Sequence, residues 1–61
     1  MANLTSKELT GIEEQLNAES ILIKKNQTYA ELSSDPQIQA KCEQIAAKHQ
    51  MHYNTLLQHL K

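Results

Sequence analysis

Apolar residues recur along the first half of the chain in alternating steps of three and four: Leu9, Ile12, Leu16, Ile23 and Ala30, with Leu22 and Tyr29 widening one flank. Such a stripe predicts an amphipathic helix that touches more than one neighbour. Two positions in the same register are polar, Glu19 and Asn26. The second half repeats the pattern at Ile38, Cys42, Ile45, His49, His52, Leu56 and His59, flanked by Ala46, Tyr53 and Leu60. Nothing in the chain alternates with the period of a strand. The pattern predicts an all-α fold with helices over 6–33 and 36–60 and a turn at 34–35.

The ends of these segments carry their own signals. Thr5-x-x-Glu8 is a capping box, in which each side chain satisfies a backbone N–H of the other residue, and Leu4 and Leu9 fit a hydrophobic staple around it. Gly11 weakens the first helix by about 1 kcal/mol relative to Ala, which a helix tolerates near its start or where a partner approaches closely. Pro36 suits the first position of a helix capped by Asp35, and it disfavours helical geometry at Asp35 itself. The intervening loop is short, and short loops join antiparallel helices.

The length decides what such a hairpin needs. A single domain of 61 residues buries a modest core, and cores this small rarely supply more than ~3–5 kcal/mol. One cysteine, Cys42, excludes an internal disulfide, and there is no Trp or Phe to fill a centre. Self-association or a metal is left to compensate. A homodimer that makes an antiparallel four-helix bundle is the expected assembly.

Six basic and seven acidic residues are mixed along the chain, so no basic run is available to neutralise a phosphate backbone, and nucleic acid is not an expected partner. Ile21-Leu22-Ile23, as long as any apolar run, is far too short for a membrane span. Met1-Ala2-Asn3-Leu4 shows neither the basic flank nor the apolar stretch of a signal peptide, so a protein that is not secreted is expected.

Folding the chain about Ser34-Asp35 brings residues whose numbers sum to about 69 level with one another, because both helices rise by ~1.5 Å per residue. Glu19 then stands between His49 and His52, and Asn26 beside Cys42 and Glu43. A carboxylate and two imidazoles share one slice of an apolar seam. Burial of such groups is costly unless they pair with one another or with an ion. Two readings follow. The layer is a satisfied polar pair that fixes register, or it is a metal site, since imidazole nitrogen and carboxylate oxygen suit Zn, Fe, Mn, Ni or Cu. Histidines three apart share a helix face, so His49 and His52 reach one ion together. Cys42 reads as a small buried hydrophobe or, at a two-fold axis, an intersubunit disulfide. Cys42 and His49 lie ~10 Å apart along their helix, too far for a nucleophile and its base, and no enzyme activity is expected.

Lys24-Lys25 through Tyr29-Ala30, then Asp35-Pro36-Gln37-Ile38, then the run from Cys42 to Leu57 containing Ala46-Ala47-Lys48-His49-Gln50-Met51-His52-Tyr53, resemble the ferritin-like spore coat proteins of the coat F group. The resemblance implies half of a ferritin-like four-helix bundle, a structural or accessory role in sporulation with coat-assembly proteins as partners, and a place in the cytoplasm or the spore coat. Ferritin-like di-iron proteins draw a Glu from one helix and Glu-x-x-His from the next. By position the first Glu falls on Glu19 and the histidine on His52, while His49 stands where the second Glu would be. That departure removes a bridging carboxylate, which tells against oxygen-activating di-iron chemistry and leaves a mononuclear or zinc-like site.

Overall fold

A computed structural model of the chain describes residues 4–60. Met1 to Asn3, on which the expectation of no signal peptide rests, lie outside the described residues. The fold is all-helical: α1 runs Ser6–Leu32 and α2 runs Pro36–Gln58, packed against each other as a hairpin, with no strand among the described residues.

Both helix starts follow the capping chemistry. The Glu8 N–H donates to Thr5 Oγ1 at 3.1 Å, and the Thr5 N–H donates to Glu8 Oε1 at 3.0 Å. That backbone bond holds the Glu8 carboxyl below its ordinary range. At the loop, Asp35 caps α2 by accepting from the Gln37 N–H at 2.9 Å, and its own N–H donates to Ser33 Oγ at 3.1 Å. Gln39 Nε2 reaches back from α2 to the Ser33 carbonyl at 2.6 Å and closes the turn.

The helix ends fall short of the expected 33 and 60. α1 stops at Leu32, with Ser33 as its extended C-cap. In α2 the His59 N–H and the Leu60 N–H donate to carbonyls three residues back, at 3.1 and 3.0 Å, so the last turn tightens and the α-helix ends at Gln58. Final turns leave orphan carbonyls, and three-back bonds are a common way to satisfy them.

The seam differs from the expected one by a roll of α2. Ala30 and Ala46, with 9% and 6% exposure, are the apolar residues buried between the helices, and among the described residues no side chain is fully buried. Gln39, Tyr53, Leu57 and Leu60 are half-buried, while Ile38 is 52% exposed. The flank therefore turns toward α1 beside Cys42, His49 and Leu56 of the expected stripe, and along the row Ile38, Ile45, His52 and His59, spaced by sevens, all but the half-buried Ile45 are exposed. The reason is size: axes come as close as their contact side chains allow, and alanines permit the nearest approach. On α1 the expected stripe holds at Ile12, Leu16, Ile23 and Ala30, with Leu9 and Tyr29 left exposed. Asn26 does not act across the seam; its Nδ2 donates to the Leu22 carbonyl of its own helix at 2.9 Å. A Cβ on Gly11 would meet nothing within 4 Å, so no close partner explains that glycine within the hairpin.

The hairpin has principal extents of 47 × 16 × 10 Å, those of two helices lying side by side. It is a single layer, whereas stable domains are built from two. No helix among the described residues is long and apolar enough to cross a membrane.

Candidate metal centre

Glu19, six per cent exposed, sits in the middle of α1, where the stripe turns it toward α2. His49 and His52 are one turn apart on α2. His49 Nδ1 lies 2.5 Å from Glu19 Oε1, and His52 Nδ1 lies 3.5 Å from the same oxygen. A carboxylate oxygen only accepts, so His49 donates through Nδ1–H. The other carboxylate oxygen, Oε2, accepts from Gln15 Nε2 at 3.0 Å, one turn earlier on α1. The hydrogen bond from His49 is the main reason the Glu19 carboxyl sits below its ordinary value; burial opposes it, and Gln15 and the charges of the imidazoles add to it.

The three residues expected to share a slice are thus brought together. One ligand atom from each lies within 4.8 Å of the others. Around a tetrahedral ion bound at about 2.0–2.2 Å, ligand atoms stand roughly 3.3–3.6 Å apart. The His52–Glu19 spacing of 3.5 Å already has that value; for His49 Nδ1 to ligate as well, its contact with Glu19 of 2.5 Å would have to open by about 1 Å and the proton between them would have to leave. The rings are held edge to face, with centroids 5.7 Å apart and planes at 82°.

One expectation is corrected. His52 does not lie inside the apolar seam: its side chain is 60% exposed, against 23% for His49 and 8% for Glu19. The roll that puts Ala46 against α1 carries His52 outward with Ile38 and His59. The cluster is therefore a half-open site, closed on the α1 side by Glu19 and open on the side of the outer row. Sequence reading passed over Gln15; its spacing of four from Glu19 is the signal that identifies it as the partner of the second carboxylate oxygen. Cys42 is a half-buried free thiol. His59 is exposed at the C-cap of α2.

The donor set, two imidazoles and one carboxylate, suits a borderline divalent ion, and it lacks the second carboxylate of a di-iron site. No family model, no curated protein and no solved structure matches this chain.

Proposed function

We propose that the chain is a structural and interaction module: a helical hairpin that pairs with a second copy of itself to complete a four-helix bundle. The observation that carries this reading is the uncovered outer row. Ile38 and Tyr29 are about half exposed, Ile45, Leu22 and Leu56 are only half-buried, and the row Ile38, Ile45, His52 and His59 includes no Lys, Arg, Asp or Glu. Surface area supports it. The hairpin exposes 4883 Å², whereas a monomeric globular protein of 6.9 kDa exposes about 4,000 Å². The excess is close to the roughly 800 Å² that each partner contributes to a standard interface. Two identical single layers, laid face to face, make the two-layer body that one lacks.

The resemblance of stretches in both helices and the loop to the coat F group extends the proposal to a component of a spore coat, held there by contacts among coat proteins rather than by a reaction it catalyses. A fluorescent fusion that stays diffuse through sporulation would remove the coat reading and leave the module. The module itself is tested by sedimentation at micromolar concentration, where a dimer is expected and a persistent monomer contradicts it.

The convergence of Glu19, His49 and His52 favours a second reading, a metal-binding bundle. Elemental analysis of protein purified without chelator tests it. Metal above trace level, lost in His49→Ala/His52→Ala, supports it. No metal, together with no rise in melting temperature on adding Zn, Fe, Mn, Ni or Cu, removes it.

A further inference from the structure

The outer row carries more than apolar surface. His52 lies seven residues beyond Ile45 and fourteen beyond Ile38, so these side chains share one edge of α2, with a drift of ~20° per seven residues. Its imidazole is the open side of the ligand cluster, and it stands on the face that a second copy would cover. Within one hairpin the cluster supplies three ligands, and an ion of the zinc class seeks four. In an isolated hairpin a fourth ligand would have to come from solvent. A second copy laid on the row brings imidazoles of its own to the same face. Among the described residues no other metal-ligating cluster of three offers a rival site. The grooves on the opposite side are lined by a mixture of polar and apolar side chains, Gln27, Glu43, Gln50, Ile23 and Ala46 among them, and present no such donor set.

We infer that a borderline divalent cation of the zinc class, held by Glu19, His49 and His52, is coupled to capture of the second copy, so that ion binding and bundle assembly strengthen each other. This rests on both readings above. Coupling of two binding events is reciprocal: whatever factor the ion contributes to assembly, assembly contributes to ion affinity. A residue that touches no ligand, but lies in the interface, must then affect how tightly the ion binds. Ile38 is that residue. It is ~21 Å along the helix from His52 and 52% exposed in the hairpin, so changing it leaves the hairpin's own packing largely alone.

The test uses the full chain with Zn²⁺ as the probe. Dimer dissociation constants are measured by sedimentation in EDTA and in saturating Zn²⁺. Zn²⁺ affinity is measured by competition with a chromophoric chelator at protein concentrations above and below the dimer constant. Wild type, His52→Ala and Ile38→Gln are compared, with circular dichroism confirming helicity in each. Zn²⁺ is expected to tighten the wild-type dimer on the order of tenfold or more. His52→Ala should lose that gain while still dimerising in EDTA. Ile38→Gln should weaken the dimer and, at concentrations where wild type is paired, lower Zn²⁺ affinity. Zn²⁺ bound with an unchanged dimer constant overturns the coupling and spares the metal reading. No Zn²⁺ binding at all overturns it through the metal reading. A monomer in both conditions overturns it through the assembly reading.

Discussion

Glu19 Oε1 accepts from His49 Nδ1 at 2.5 Å across thirty residues of sequence, and among the described residues this is the one hydrogen bond that joins the side chains of α1 to those of α2. Elsewhere the helices meet through alanines and half-buried side chains, so this bond is the one directional side-chain contact between them among the described residues. A carboxylate at 6% exposure is stable there because a donor faces each of its oxygens.

Removing one partner and removing both therefore have opposite consequences. His49→Leu leaves the buried carboxylate without its main donor and should lower the melting temperature by several degrees in EDTA. Glu19→Leu/His49→Leu replaces the pair by hydrocarbon and should recover that loss or exceed wild type, since a buried ion pair is often no better than packed apolar groups. Thermal melts of the two variants check this; a double variant less stable than the single one contradicts it.

The roll of α2 makes Ala46 the tightest point of the seam. Ala46→Leu inserts three carbons where the residue is 6% exposed, and overpacking of this kind costs about 1–3 kcal/mol. Its neighbour Ile45 is only half-buried in the hairpin, so Ile45→Ala should cost less within the hairpin and more in the dimer constant. Urea melts across a range of protein concentrations separate the two effects.

Gly11→Ala is expected to stabilise the chain by about 0.5–1 kcal/mol, because the glycine is helical, has no positive φ and faces open space. A loss of stability would mean that a second copy passes close to this position.

The acid limb of stability follows from two carboxylates. Glu8 and Glu19 are both held below the ordinary value of 4.5, Glu8 by the Thr5 backbone N–H and Glu19 chiefly by His49. A group with a depressed folded pKa contributes stability that is complete above its unfolded pKa and is lost as pH falls through the folded value. In EDTA the melting temperature should thus decline below about pH 4.5. Glu8→Gln and Glu19→Gln should each flatten part of that decline; melts from pH 7 down to 3 that run parallel to wild type contradict the assignment.

Much of this was legible in the residues. Thr5 and Glu8 announce the start of α1, and Asp35-Pro36 the start of α2, because capping is local chemistry that depends on a few neighbours. The slice shared by Glu19, His49 and His52 follows from a turn position and the helical rise. What periodicity left open is the roll of each helix about its own axis. A stripe as wide as Ile38 to Leu60 offers two rows to α1, and local pattern does not choose between them. Alanine at 30 and 46 decides, by letting the axes close on the smaller row. That choice leaves His52 outside the seam, so the site is half open where the stripe alone suggested an enclosed layer.

The measurement that bears most directly on this account is the mass of the chain in solution. Sedimentation equilibrium at micromolar concentration, in EDTA so that no ion contributes, should give a species of twice 6.9 kDa that dissociates on dilution and is weakened by Ile38→Gln. A single species of 6.9 kDa at every concentration up to the millimolar range would contradict it, since the outer row would then have no second layer to meet.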